Sequence, residues 1–192
     1  MITDHTSYKY YIRLDLAAYQ LKKLSIYNYF WMDTVRFQLR LRKIEYLYNV
    51  HRGNLICKLY LTFLELINHN LAVRLGFSIP KNVFGAGLCI VHYGTIVISS
   101  KAKVGENCRI HPSTSIGDYD GAPTIGNNVY IGPGAKLFGK IAIGNNVAIG
   151  ANAVVNSNIP DNVTVGGIPA KIISNKSSLE NGVYPEKFIQ NI

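Results

Sequence analysis

Residues 125–155 repeat with a period of six, and this period restricts the fold more than any other feature of the chain. A large aliphatic residue opens each hexad, and a smaller apolar residue follows four places later. The large residues are Ile125, Ile131, Leu137, Ile143, Ile149 and Val155, and the smaller ones are Val129, Ala135, Ile141, Val147 and Ala153. Helices repeat every ~3.6 residues and simple strands every ~2, so neither alone produces this pattern. A parallel β-helix does, because each hexad supplies one short strand and one corner.

The same ladder continues upstream, but its phase shifts twice. The earlier anchor residues are Phe84, Ile90, Ile98, Val104, Ile110 and Ile116. One shift falls within residues 90–96 and the other within residues 117–124. Because extra residues cannot enter the packed wall of a repeat fold, we expect both segments to leave it as loops. Loops on such a wall are candidates for binding and catalysis.

Residues 1–76 show helical patterns instead. One predicted apolar stripe consists of Val35, Leu39, Arg42, Tyr46 and Val50, and the other of Leu59, Phe63, Leu66, Ile67 and Leu71. A short helix is also expected around 14–24. An open solenoid end exposes unpaired strand edges, so we expect these helices to cap it. The chain therefore divides into an α-helical region (1–76), a β-helix (77–174) and a tail (175–192).

Composition narrows the class of protein. The net charge is +9, and about half of the Lys and Arg residues precede Phe77. Zinc-finger, RNA-recognition and basic-zipper patterns are absent from the sequence, so we predict no nucleic-acid partner. The basic excess instead suits an anionic small molecule or contact with an anionic membrane surface. Three scattered cysteines without a CxxC pair, and no signal-peptide pattern, predict a cytoplasmic protein.

Two of the five histidines, His92 and His111, fall in the repeat region. His92 lies in the first phase shift, followed by Tyr93. An imidazole titrates near neutral pH, so His92 would suit the removal of a proton from a substrate hydroxyl. Its position alone fits a structural histidine equally well. His111 follows an anchor residue, and a contact with the wall or a neighbouring subunit suits it better than catalysis.

Longer motifs carry a family resemblance. The segments GLCIVHYGTIVIS, VGENCRI, TIGNNVYIGPGAKLFGKIAIGNNVAIGANAVV and VTVGGIPAKII resemble the hexapeptide-repeat acyltransferases with a left-handed β-helix. Within that family they are most similar to the serine acetyltransferase branch and its relatives in capsule and exopolysaccharide gene clusters. The resemblance covers roughly residues 77–174. It implies a left-handed, mainly β fold, acetyl-CoA as the donor, no metal, and homotrimers, or pairs of trimers, with sites between subunits.

The resemblance also assigns roles to residues. His92 matches the catalytic general base, in the segment that the family writes as D-H-A-T-G. Gly132, Pro133, Gly134, Gly150 and Ala151 fall where the pantetheine arm of the donor lies along the backbone, and Lys136 joins this donor-binding set. Lys171 falls where the family places a cation near the nucleotide phosphates. The substrate-binding candidates are Tyr93, His111, Asp118, Tyr119 and Asp120.

The chain also departs from the serine acetyltransferase pattern. Val91 replaces the acid before the catalytic histidine, Phe77 replaces a second acid, and Gly121-Ala122-Pro123 stands where the branch has Arg-His-Pro. The missing groups would hold the charged ends of an amino acid, so the sequence argues against L-serine. Residues 118–120 offer two carboxylates and a phenol, which suit sugar hydroxyls. One of these carboxylates would orient His92 if the loop folds back towards it.

These observations predict an O-acetyltransferase that acts on a sugar or polysaccharide hydroxyl in surface polysaccharide biosynthesis. Four alternatives remain open. They are a serine acetyltransferase of cysteine biosynthesis, an amino-sugar N-acetyltransferase, a zinc-dependent carbonic anhydrase and a β-helix scaffold without activity. The zinc site would need about three histidine ligands.

Overall fold

The computed structural model describes residues 1–51 and 53–184. The helices are α1 (His5–Ala18), α2 (Ile26–Trp31), α3 (Asp33–Val50) and α4 (Leu55–Leu75). The strands are β1 (Phe77–Ser78), β2 (Cys89–Ile90), β3 (Ile96–Ile98), β4 (Lys103–Val104), β5 (Arg109–Ile110), β6 (Thr114–Gly117), β7 (Thr124–Ile125), β8 (Tyr130–Ile131), β9 (Lys136–Phe138), β10 (Ala142–Ile143), β11 (Ala148–Ile149), β12 (Val154–Val155), β13 (Thr164–Gly166) and β14 (Lys171–Ser174). Of the predicted tail, residues 185–192 lie outside the described residues.

The strands form the three walls of a parallel solenoid. Sheet A contains β1, β3, β6, β9 and β12, sheet B contains β4, β7 and β10, and sheet C contains β2, β5, β8, β11, β13 and, antiparallel, β14. Ile131 pairs with Ile149, and Leu137 pairs with Val155, so one turn comprises three hexads. The predicted parallel β-helix with a preceding helical region is confirmed, with about five turns.

The anchor residues of the hexads fill the interior of the solenoid. Ile131, Leu137, Ile149 and Val155 are fully buried, and the smaller residues Val129, Ala135, Val147 and Ala153 lie beside them in the same core. Each anchor stacks on an aliphatic side chain of the next turn. The walls are therefore stabilised by removing a continuous aliphatic column from water.

Asparagine forms a second ladder, at the corner between sheets B and C. Asn107, Asn128, Asn146 and Asn162 all have positive φ, which asparagine tolerates better than most residues. The Asn107 amide donates to Asn128 at 2.9 Å, and the next two steps of the ladder measure 2.8 Å each. This ladder explains the Gly-Asn-Asn element of the repeat.

The helical region is attached to the first turn through buried charges. Arg42 on α3 donates to Asp15 on α1 at 2.8 Å and to Glu45 at 2.9 Å. Arg42 also donates to the carbonyls of Phe84 and Gly85, at 2.9 and 2.6 Å. The Asp15 carboxylate accepts from the backbone N–H groups of residues 87 and 88. The capping role predicted for the helices thus rests on charged groups that satisfy the exposed backbone of the solenoid end.

The predicted helical stripes are wrong in detail. Arg42 is buried as the centre of an ion network, not as part of an apolar stripe, and Val50 is exposed. Leu59, Phe63 and Leu66 of the second stripe are also exposed. The buried residues of α4 are Leu64, Asn68, Leu71, Ala72 and Leu75. Since α4 carries apolar residues on two sides, periodicity could not identify the packed one.

The short helix expected around 14–24 is also placed differently. Helix α1 ends at Ala18, and α2 begins only at Ile26, where the Ser25 side chain caps it by accepting from the Asn28 N–H at 3.0 Å. The residues between the two helices form a turn in which Gln20 has positive φ.

The C-terminal segment runs back along the solenoid. The Ser178 N–H donates to the Asn146 carbonyl at 2.9 Å, and the Tyr184 hydroxyl donates to the Asn107 carbonyl at 2.8 Å. Tyr184 is buried against sheet C beside Cys89. Residues up to 184 therefore cover the side of the solenoid.

No helix in the described part of the chain has both the length and the apolar character needed to cross a bilayer.

Candidate active site

The corner between sheets C and A brings most of the predicted site residues together. It consists of residues 91–95, 111–113, 132–134, 150–152 and 166–170, one segment from each turn, and we call it the C–A corner. Backbone hydrogen bonds join the turns: the Val91 N–H donates to Ile110 at 3.1 Å, and the His111 N–H donates to Ile131 at 3.2 Å. The segments therefore stack as one continuous column.

His92 lies at the end of this column nearest the helices. Its side chain is exposed and makes no hydrogen bond with any part of the chain that the structure describes. Gly94, two residues after His92, has a φ of 133°, and a Cβ there would lie 3.0 Å from the Pro112 Cβ. The Gly94 N–H donates to the Leu75 carbonyl at the end of α4, at 2.9 Å. The loop is thus held by its glycine while the imidazole faces outward.

Tyr19, the residue that follows helix α1, fixes the strand that leads to His92. The Tyr19 hydroxyl accepts from the Ile90 N–H at 3.0 Å and lies 3.1 Å from the Ile90 carbonyl. It also lies 3.0 Å from Gln38 Oε1, and the Gln38 amide donates to the Leu88 carbonyl at 2.8 Å. This contact could not be predicted from the sequence, because Tyr19 is one of many tyrosines in a region without a repeat.

His111 occupies the next turn of the column and is partly buried. Its ring lies 5.0 Å from the Tyr130 ring, and its Nε2 is a buried atom with no hydrogen-bond partner among the described residues. Burial, followed by the charges of Arg109 and His92, lowers the pKa of His111 to about 4. His111 is therefore neutral near pH 7. A general base at this corner must be exposed to the acceptor, and His92 is exposed whereas His111 is partly buried.

Arg109 is a residue that sequence reasoning missed. It faces outward from sheet C, in a row with Cys89, Tyr130, Ala148 and Thr164. Its Nη1 lies 3.6 Å from the Cys89 Sγ, and its Nε is buried without a partner within the described chain. Burial raises the pKa of the Cys89 thiol to about 11, although Arg109 opposes this. The sequence did contain a signal for Arg109, because it is a charged residue at a position that is uncharged in the other turns.

The predicted donor-binding residues lie on the same corner, in the turns beyond His111. A Cβ on Gly132 would come within 2.7 Å of the Ile149 carbonyl, and one on Gly134 within 2.0 Å of Asn152 Oδ1. Both glycines are therefore required by close stacking of the turns. Pro133, Ala151 and Lys171 are exposed at the surface. The Lys136 ammonium donates to the Ser113 carbonyl, one turn away.

The structure separates the 118–120 loop from His92 within one chain. His92 precedes sheet A, whereas Asp118 follows it, so the two lie at opposite edges of that sheet. A strand of this length spans about 10 Å. Lys101 lies 2.8 Å from the Asp118 carboxylate and, through that hydrogen bond, lowers its pKa. Tyr119 and Asp120 are exposed. A carboxylate of this loop does not fold back onto its own His92.

Tyr93 is exposed next to His92. Across residues 1–51 and 53–184, no three His, Cys, Asp or Glu side chains converge in a way that could hold a metal ion.

Comparison with known proteins supports the fold and the repeat. Residues 122–157 match the family model of the bacterial transferase hexapeptide (six repeats). A serine acetyltransferase of Synechococcus elongatus is 39% identical over 115 residues, which are 57% of this chain and 47% of that relative. The chain thus spans about half the length of this relative.

Solved structures are similar over more of the chain. The structure of the serine acetyltransferase of Brucella abortus matches with a TM-score of 0.72 and 25% sequence identity. The match covers 90% of this chain and 71% of the Brucella chain. The serine acetyltransferase of Neisseria gonorrhoeae, in complex with serine, matches with a TM-score of 0.70 and 27% sequence identity. This match covers 88% of this chain and 70% of the Neisseria chain. These likenesses include the helical region as well as the solenoid. These relatives are named serine acetyltransferases, so their names agree with the first alternative above and not with sugar acetylation.

Proposed function

We propose that this chain is an acyltransferase that moves an acetyl group from acetyl-CoA to a hydroxyl group, with His92 as the general base. The observation that carries the proposal is the exposed imidazole of His92, which makes no hydrogen bond within the described chain and heads a column of glycine-rich corners. The similarity to serine acetyltransferases supports the same chemistry.

The proposed reaction is a direct transfer. The acceptor hydroxyl gives its proton to the His92 imidazole as its oxygen attacks the thioester carbonyl. The new C–O bond forms, the C–S bond breaks, and the proton passes from His92 to the CoA sulfur. Backbone N–H groups near the attacked carbonyl would stabilise the negative oxygen of the tetrahedral intermediate. His111 in the next turn is neutral near pH 7 and therefore adds no positive charge to the site.

The donor would lie along the C–A corner. The stacked turns at Gly132 and Gly134 leave a surface without large side chains, on which a thin pantetheine arm can lie. Lys171 is exposed on β14, further along the solenoid, and would act as a mobile point charge for the nucleotide phosphates. Lys136 is partly exposed beside the same path.

L-serine is the first acceptor to test, because the names of the relatives favour it over the sugar that the sequence predicted. A sugar hydroxyl remains the second candidate, and specific residues favour it. Phe77 is buried in the core, and Val91 packs against the cluster around Tyr184. Neither side chain can bind the charged ends of an amino acid, so serine would need partners from elsewhere.

We also propose a homotrimer in the cytoplasm. His92 is exposed at an edge of the solenoid, where a neighbouring subunit would complete the site and bring the 118–120 loop to it. The cysteines Cys57, Cys89 and Cys108 form no disulfide, as suits a reducing compartment. Native mass spectrometry tests the assembly, and a monomeric protein with full activity would contradict it.

The decisive experiment follows the release of free CoA from acetyl-CoA with L-serine and with a panel of sugars. His92→Ala should lower the rate by about 10²–10⁴. His69→Ala, at an exposed histidine of α4, is the matched control and should retain full activity. Turnover on serine alone would establish the first acceptor, and turnover on a sugar alone the second. A His92→Ala rate near that of the unchanged protein would remove His92 as the base.

A further inference from the structure

Helix α4 exposes an apolar stripe on the side opposite its packed face. Leu55, Leu59, Phe63, Leu66 and Val73 follow one another at intervals of three, four or seven positions, so they share one side of the helix. Each is between 57% and 70% exposed. Isolated exposed leucines are ordinary, but five large apolar residues on one side of a helix mark an interaction surface.

Helix α2 exposes a second set of apolar residues, most of them aromatic. It buries none of its residues, and Ile26, Tyr27, Phe30 and Trp31 are between 62% and 81% exposed. Lys22 and Lys23 are exposed just before it. A short helix with this composition gains little from packing on its own chain.

Three arginines connect the two helices. Arg36 and Arg40 of α3, with Arg74 of α4, line a groove of about 310 Å³ whose floor includes Ile67 and Leu71. Arg36 donates to the Phe30 carbonyl at 3.0 Å, and the Arg40 guanidinium lies 5.8 Å from the centre of the Tyr29 ring. The groove therefore adjoins α2 on one side and α4 on the other. We call the exposed residues of α2, the α4 stripe and these arginines the α2/α4 face.

The charge of this region is strongly basic. Residues 1–76 contain eleven Lys and Arg against five Asp and Glu, a net charge of +6. All five acids have partners: Asp4 caps α1, Asp15 and Glu45 are buried with Arg42, Asp33 pairs with Arg36, and Glu65 with Lys81. The acids therefore leave most of the exposed positive charge uncompensated.

We propose that the α2/α4 face binds the surface of an anionic phospholipid membrane. Its aromatic and aliphatic side chains enter the boundary between headgroups and acyl chains, where amphipathic helices and aromatic rings are stable. Arg40 and Arg74 bind headgroup phosphates, which guanidinium groups hold in bidentate geometry. This binding concerns a surface at the helical end of the molecule and does not depend on the proposed acetyl transfer.

Charge favours a membrane over a second copy of this chain as the occupant. In a twofold contact, the same surface meets itself. Pairing two α2/α4 faces would bring the groove arginines and Lys22 and Lys23 of each chain close to those of the other. An anionic bilayer instead supplies the opposite charge together with an apolar layer.

Trp31 makes the test direct, because it is the single tryptophan of the chain. The full-length protein is mixed with vesicles of phosphatidylcholine alone, or with about one third phosphatidylglycerol, and its tryptophan emission is recorded. We expect a blue shift with anionic vesicles and quenching by lipids brominated in the acyl chains. High salt should weaken the binding, since it screens the attraction.

Variants then separate the two parts of the face. Phe63→Ser should lower the partition coefficient by at least about tenfold through lost apolar burial. Arg74→Gln should lower it by about fivefold, and only with anionic vesicles. Ile173→Ser and Lys103→Gln, at exposed positions of the solenoid, are matched controls and should bind as the unchanged protein does. Unchanged elution volume and an unchanged far-ultraviolet circular dichroism spectrum show that each variant is folded.

Two results would overturn the proposal. One is the absence of a spectral shift with every vesicle composition. The other is a blue shift that grows with protein concentration without vesicles and that Phe63→Ser abolishes. The second result would assign the α2/α4 face to a contact between copies of this chain.

Discussion

The solenoid and the helical region distribute charge in opposite ways. In the described chain, the buried charged residues are Asp15, Arg42 and Glu45, and all three lie in the helices. The interior of the solenoid is mostly aliphatic and contains no charged side chain among the described residues, while α4 carries an exposed apolar stripe. A repeat places like residues next to each other in successive turns, so its core needs no charged groups. The cap must satisfy the unpaired backbone at the end of that repeat, and charged groups do this.

The largest effect should come from breaking the ion network of the cap. Arg42→Ala leaves two buried carboxylates without their partner, so we expect a loss of about 3–5 kcal/mol in the free energy of unfolding. Urea unfolding monitored by circular dichroism measures it. Arg13→Ala, at an exposed arginine of α1, is the control and should change stability by less than about 0.5 kcal/mol. Equal losses in the two variants would show that the network adds nothing.

A core deletion in the solenoid tests the other side of the comparison. Leu137→Ala creates a cavity in a fully buried column, and we expect a loss of about 2–5 kcal/mol. The neighbouring Phe138 points outward, so Phe138→Ala should cost much less. If both substitutions destabilise the protein equally in urea, the alternation of buried and exposed residues along β9 is not what stabilises it.

A substitution at the junction between the solenoid and the helical region should lower stability less. Tyr19→Phe removes the hydroxyl that contacts both backbone groups of Ile90, and we expect a loss of about 1–3 kcal/mol. Tyr10→Phe removes an exposed hydroxyl bonded to Glu106 and serves as the control. Because Ile90 leads directly to His92, Tyr19→Phe should also lower kcat in the CoA-release assay more than it changes KM. An unchanged kcat would confine Tyr19 to a structural role.

The last effect, and the smallest near neutral pH, is a dependence of stability on pH. Folding lowers the pKa of His111 from 6.5 to about 4, so between these values the unfolded chain binds the additional proton. Stability from this group is complete above about pH 6.5 and falls as the pH drops towards 4. The midpoint of urea unfolding should therefore decline over this range, and His111→Gln should reduce the decline. An identical decline in both proteins would assign it to other groups.

The strict period of six predicted the solenoid well, because it reports directly on the spacing of inward-facing residues. The phase shifts also located the two loops, since added residues cannot stay within a packed wall. The helices were harder to predict. On α4, apolar residues occur on both sides, and only contact with α3 and β1 decides that Leu71 and Leu75 are packed while Leu59 and Phe63 are exposed.

The candidate site likewise has features that the sequence predicted and features that it did not. The motif around His92 could be recognised from the sequence, and its catalytic role remains a prediction. The neutral state of His111, the partners of Arg109 and the hydroxyl of Tyr19 could not be inferred, because each depends on residues far apart in the chain. The sequence also suggested a role for Asp118 beside His92, whereas the structure places these residues at opposite edges of sheet A.

By itself, the sequence determined the parallel β-helix, its preceding helical region and the position of its loops. These features depend on local periodicity, which can be recognised without knowing which segments of the chain pack together. Only the tertiary structure decided which side of α4 is buried, how Arg42 joins the helices to the first turn, and which candidate residues share the C–A corner. Those outcomes depend on contacts between distant segments, and the energy of such contacts has no signature in the spacing of residues along the chain.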